Sequence, residues 1–110
     1  MNLLDPRTLE PVYNKEGVTG RKMTTDLNFE IIYMTLEPGA YLKPHITPFD
    51  ADFFIHKGNA ILEIDGKNIS AGEGMILNCP GSVPHGIRND TQEQIIILVI
   101  KHLQNLKYLK

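Results

Sequence analysis

Between Pro38 and Gly86 the glycines and prolines of this chain leave no uninterrupted run longer than nine residues. Proline fixes φ and removes a backbone donor, while glycine permits positive φ, so each interruption is a place to end an element and turn. What lies between the interruptions is strand-like. Asn28 to Leu36 (NFEIIYMTL) is rich in β-branched and aromatic residues, and Glu37-Pro38-Gly39 then supplies proline and glycine where a type II turn wants them. Strands follow over Ala40 to His45, Asp52 to Lys57 and Ala60 to Ile64, with Thr47 to Asp50 as a loop. Asp65-Gly66 is a hairpin signal leading into Lys67 to Ser70. Ala71 to Gly74 turns the chain into Met75-Ile76-Leu77, Cys79-Pro80-Gly81 ends that strand, and His85 opens the next. After a turn at Asn89-Asp90-Thr91, Gln94 to His102 closes the set. Many short strands with hardly any helical period predict an all-β sandwich or barrel. Phe53, Ile55, Leu62, Ile64, Ile76 and Ile97 are expected in its core.

The ends are less regular. Residues 1–27 read as a lead-in, irregular or an edge strand, with Gly17 to Thr25 a short strand that packs Val18 and Met23 inward. Residues 103–110 carry Leu103, Leu106 and Leu109 at intervals of three, either a short helix or a tail. Residues 28–102 are left as the barrel. The run Ile95 to Ile100 does not alternate, and a strand apolar on both faces must be covered on both. In so small a barrel the outer cover is expected to be a second copy, hence a homodimer.

Composition narrows the partners. A chain of 110 residues is one domain, and 11 Lys+Arg against 13 Asp+Glu give a formal charge of -2 with no basic stripe. Nucleic acid is therefore not an expected partner, because phosphate binding needs clustered cations. The start, MNLLDPRTLEP, meets Asp5 and Pro6 before an apolar core can develop, so no signal peptide is expected. Six aliphatic residues are far too few to span a membrane. The single cysteine, Cys79, can form no intrachain disulfide and fits a reducing cytoplasm. On its apolar strand it is expected to be a buried, inert thiol.

Two histidines are placed alike. His45 and His85 each follow a proline at the edge of a predicted strand, and the β scaffold could bring them together. Gly74, Pro80, His85 and Asn89 fall at offsets that resemble the second motif of the cupin superfamily, G-x5-P-x-G-x2-H-x3-N. Ser82 replaces its second glycine, with Gly81 one place early. The first motif, G-x5-H-x-H-x3–4-E-x6-G, is matched by Gly39, His45 and Gly58, but Thr47 stands for its second histidine and Ala51 for its glutamate.

The resemblance implies a double-stranded β-helix, or jelly roll, of two antiparallel sheets. It also implies a divalent metal at the barrel mouth, Fe, Mn, Ni, Cu or Zn, normally held by three histidines and a glutamate. Only His45 and His85 carry over as ligands. If Ala51 faces the cavity, strand parity turns Phe53 and Ile55 there too and Asp52 away, so Asp52 could serve only if the strand carries a bulge or starts late. Asp50, in the expected loop, could curl over the mouth, or simply form a turn. Tyr33 and Tyr41 could line the cavity or pack elsewhere. Three functions stay open. One is a metal-dependent enzyme (oxygenase, isomerase or lyase) acting on a small polar metabolite. Another is a metal-free module that binds a sugar-like or carboxylate ligand. The third is a degenerate scaffold that matters for its dimer.

Overall fold

The computed structural model describes residues 3–25 and 28–106. A 3-10 turn over Pro6–Thr8, capped by the Asp5 side chain, leads into ten strands. They are β1 (Tyr13–Lys15), β2 (Val18–Thr25), β3 (Phe29–Leu36), β4 (Tyr41–His45) and β5 (Phe49–Lys57). Then come β6 (Ala60–Ile64), β7 (Lys67–Ala71), β8 (Ile76–Cys79), β9 (His85–Arg88) and β10 (Ile95–Leu106). Two antiparallel sheets result, one of six strands in the order β1-β2-β3-β10-β5-β8 and one of four in the order β4-β9-β6-β7. This is a jelly roll. Among the described residues no helix is long and apolar enough to cross a membrane.

The turns follow their residues. Gly39 has φ +81 and Ala40 N–H donates to the Glu37 carbonyl at 2.9 Å, as a type II turn requires. Asp65 and Gly66 both have positive φ, and so do Glu16 and Gly17, which makes a second tight hairpin of residues 13–20 where the sequence offers a lead-in or edge strand and a short strand from Gly17. Gly58 ends β5 at φ +87, and a Cβ there would lie 2.7 Å from the Ile95 side chain. β10 runs on to Leu106, four residues past the expected end, because it pairs with Phe49 beyond a register shift. Residues 107–110 lie outside the described residues.

Leu36, Ile55, Leu62, Ile95 and Ile97 are fully buried between the sheets and fill one end of the barrel. Phe53 is buried and Ile64 packs partly against the cluster. Ile76 is not core: it is 60% exposed, because Leu77 and Cys79 take the inward parity of β8 and Ile76 pairs with Phe54 on the outer surface. Val18 is buried, whereas Met23 sits at a bulge in the β2–β3 pairing and is only half-buried. On the outer face of the larger sheet, Tyr33, Phe54, Leu98 and Ile100 are half-buried. Leu3, Leu4 and Pro6 share a groove with Ile96 at one end of that face.

Candidate metal and ligand site at the barrel mouth

At the end opposite the packed core, the two sheets part around a cavity of about 290 Å³. Its walls are mostly apolar, with Ile32, Met34, Leu42, Phe53, Ile87 and Val99 among them. The polar side chains are few: Tyr13, His45, Thr47, His85 and Lys101. Walls of this kind contact the body of a ligand, and the few polar groups orient its head.

His45 and His85 are register partners on β4 and β9, and their ring centroids stand 4.5 Å apart at an interplanar angle of 59°. Two local features produce this meeting. Leu42 pairs with Ile87, yet His45 pairs with His85, so β4 carries one residue more than β9 between the two pairs. Residues three apart on a regular strand face opposite ways. The extra residue, beside Pro44 with its missing donor, returns His45 to the inner face that Leu42 occupies. Gly86 does the rest. A Cβ there would lie 2.7 Å from the Leu42 carbonyl oxygen and 2.8 Å from Pro44 N, so only glycine lets β9 lie so close to β4.

Each ring is fixed by the backbone. His85 Nδ1 lies 3.0 Å from the Val83 carbonyl oxygen, and His45 Nδ1 lies 3.3 Å from that of Lys43. A carbonyl oxygen only accepts, so both contacts assign the proton to Nδ1 and leave a lone pair on the distal Nε2. Among the described residues no hydrogen bond reaches either Nε2. His85 is 6% exposed and packs on Phe53 with centroids 5.5 Å apart. Burial pushes its proton affinity below the ordinary imidazole value; the Val83 bond opposes this, and the nearby His45 and Lys101 reinforce it.

The two aspartates do not join the pair. The strand begins at Phe49, so Asp50 lies in β5 rather than in a loop, and it alternates outward from Phe49 and Ala51. Its Oδ1 accepts from Gly81 N at 2.7 Å and ties β5 to the β8–β9 turn. Asp52 keeps the outward parity expected for it. There it accepts from Asn78 Nδ2 at 2.7 Å and lies 2.8 Å from His102 Nε2. Among the described residues no three His, Cys, Asp or Glu side chains come together as a metal site. Tyr33 and Tyr41 are also turned away: Tyr33 lines the outer groove, and Tyr41 donates to Glu63 Oε1 at 2.6 Å. Tyr13 and Lys101 line the cavity instead. Lys101 was legible by parity, two residues beyond Val99 on β10; Tyr13 gave no signal of its own. Cys79 is buried, and burial followed by the Asp50 charge pushes its thiol up, as an inert cysteine requires.

Asn89 has a structural task. Fully buried, its Nδ2 donates to the Leu36 and Glu93 carbonyls, and its Oδ1 accepts from Thr91 N and Oγ1. Ser82, standing where the second motif has glycine, adopts φ +70.

The Cupin domain family model matches residues 32–101. The chain is a cupin. Solved structures agree with that fold. The RmlC-like cupin of Shewanella frigidimarina superposes with a TM-score of 0.82 at 13% identity, over 99% of this cupin and 96% of that chain. The polyketide cyclase RemF of Streptomyces resistomycificus gives 0.81 at 18% identity, over 94% and 80%. TT1209 of Thermus thermophilus gives 0.79 at 22% identity, over 93% and 97%. Among curated proteins none matches this cupin significantly.

The family implies a metal, and the donor set can be tested against it. Two imidazole nitrogens, each oriented by a bond from its other nitrogen, fit two positions of a divalent cation's shell. Thr47 and Ala51 supply nothing to replace the missing histidine and glutamate, so water or a ligand would fill the rest.

Proposed function

We propose that this cupin binds a small molecule with an apolar body and a polar head at the barrel mouth, and that His45 and His85 hold a divalent metal beside that head. The observation that carries the proposal is the histidine pair, with both Nδ1 atoms committed to backbone carbonyls and both Nε2 atoms left for a ligand. Imidazole suits iron, nickel, copper and zinc. When bound, such an ion supplies Lewis-acid polarisation of a ligand oxygen. The chain does the remainder: Phe53, Ile87 and Val99 exclude water from the ligand body, and burial keeps His85 neutral and able to donate its lone pair.

With two protein donors instead of the three or more usual at catalytic sites, the ion is held weakly and yields to a chelator. A metal-free binding module is the second reading, favoured by Ala51 and Thr47 at two expected ligand positions. There each Nε2 accepts a hydrogen bond from water or from a ligand hydroxyl. Zinc titration calorimetry on the chelator-treated protein separates the two. We expect one ion per chain, lost in both His45→Ala and His85→Ala while the circular dichroism of the sheets is retained. No uptake by the wild type would overturn the metal and leave the second reading.

A further inference from the structure

We infer that the ligand of this cavity is an anion, a small carboxylate with an apolar body, and that Lys101 selects it. The inference rests on the cavity being a binding site, as proposed above. Lys101 follows Ile97 and Val99 on the inward parity of β10 and lines the cavity wall. Its Nζ stands 5.7 Å from the centroid of the Phe49 ring, which faces the same cavity. The ammonium is also near enough to His85 for its charge to help keep that imidazole unprotonated.

Among the described residues the charge around it does not balance. Glu30 lies 3.4 Å from Lys101 Nζ, but it also pairs with Lys22 Nζ at 3.8 Å. One carboxylate thus serves two ammonium groups, and this cluster carries a net charge of +1. Asp50 and Asp52, the carboxylates of β5, alternate outward and engage Gly81 N and the Asn78–His102 pair. Apolar walls around a surplus, partly desolvated cation disfavour a cationic head and leave a neutral one without compensation for the charge. A carboxylate supplies that compensation through a charge-assisted hydrogen bond, while its apolar body lies along Phe53 and Val99.

The test is titration calorimetry with octanoate and with octanamide, which share a body and differ in head charge. It is run near neutral pH in the presence of a chelator, so that no metal contributes. In the wild type octanoate should bind roughly tenfold or more tighter than octanamide, the scale of one hydrogen bond to a charged group. Lys101→Met should erase that preference, chiefly by weakening octanoate, and Lys101→Arg should preserve it. Equal affinities in the wild type, or a preference that survives in Lys101→Met, would overturn the role of Lys101 and leave the cavity as a binding site. Failure of both compounds to bind the wild type would overturn the cavity reading and this inference with it.

Discussion

Replacing Asn89 by alanine removes the latch between β9 and β10. The side chain makes four hydrogen bonds: to the Leu36 carbonyl at 3.0 Å, to the Glu93 carbonyl at 2.8 Å, and from Thr91 N and Oγ1 at 2.9 and 2.7 Å. They are not equal. Thr91 Oγ1 also lies 3.0 Å from the Glu93 carbonyl oxygen and can turn its one proton there once Asn89 is gone, so the outer part of the turn keeps a partner. Leu36 is fully buried, and its carbonyl loses its amide donor where water does not reach easily. A buried group left unpaired costs about 1–3 kcal/mol, and each other lost bond about 0.5–1.5 kcal/mol where water does not replace it. The sum is roughly 2–4 kcal/mol. At an unfolding entropy of about 2.1 cal/mol/K per residue, that lowers Tm by roughly 9–17 °C. Scanning calorimetry and urea titration measure it. Asn89→Asp is the sharper comparison, because it keeps the acceptor for Thr91 but sets a carboxylate oxygen against two carbonyls. It should fall at least as far as alanine. A loss below about 1 kcal/mol in Asn89→Ala, or an Asn89→Asp variant as stable as wild type, would refute the latch.

Other outcomes follow from the same geometry. Ser82 holds φ +70 without the freedom of glycine, so Ser82→Gly should stabilise the fold by about 1 kcal/mol in urea titration, and a destabilised variant would contradict the strain. Desolvation alone would raise the Asp52 carboxyl, but bonds from Asn78 and His102 outweigh it and hold it below 3.8. Its stabilisation is then fully present above pH 3.8 and lost as pH falls through the lower folded value, so the gap between wild type and Asp52→Asn should close in acid. A gap unchanged from neutral to strongly acid pH would contradict this. We also expect a homodimer in which a second copy covers Tyr33, Phe54, Leu98 and Ile100 on the outer face. Sedimentation equilibrium at micromolar concentration would show a strict monomer if residues 3–7 at the Ile96 end are cover enough.

Much of the fold was legible because turn chemistry is local. Pro38-Gly39 and Asp65-Gly66 announce their turns, and the parity of Ala51, Phe53 and Ile55 is borne out by their burial. The histidine pair was legible from two prolines and their spacing. What stayed hidden depends on pairing between distant strands. A bulge exists only relative to a partner strand, so the extra residue beside Pro44 has no signature within β4 alone. Asp50 looked like a loop residue because Pro48 and Phe49 resemble a turn, yet pairing of β10 with Phe49 and Asp50 extends β5 through it. Lys101 carried a parity signal, two residues beyond Val99, but its place at the end of an aliphatic run makes it read as a solvated terminus.

The bulge in β4 has a consequence for how this barrel can change over time. Side-chain facing alternates with a period of two, so a β4 shortened by one residue at Lys43 or Pro44 would pair regularly with β9 and still set His45 opposite His85. A β4 of its present length without the bulge would instead turn His45 out to solvent. The packed end of the barrel is built on Leu36, Ile55, Leu62 and Ile97 and does not depend on either arrangement. The length of β4 and its bulge must therefore change together if descendants of this scaffold are to keep both imidazoles in the mouth.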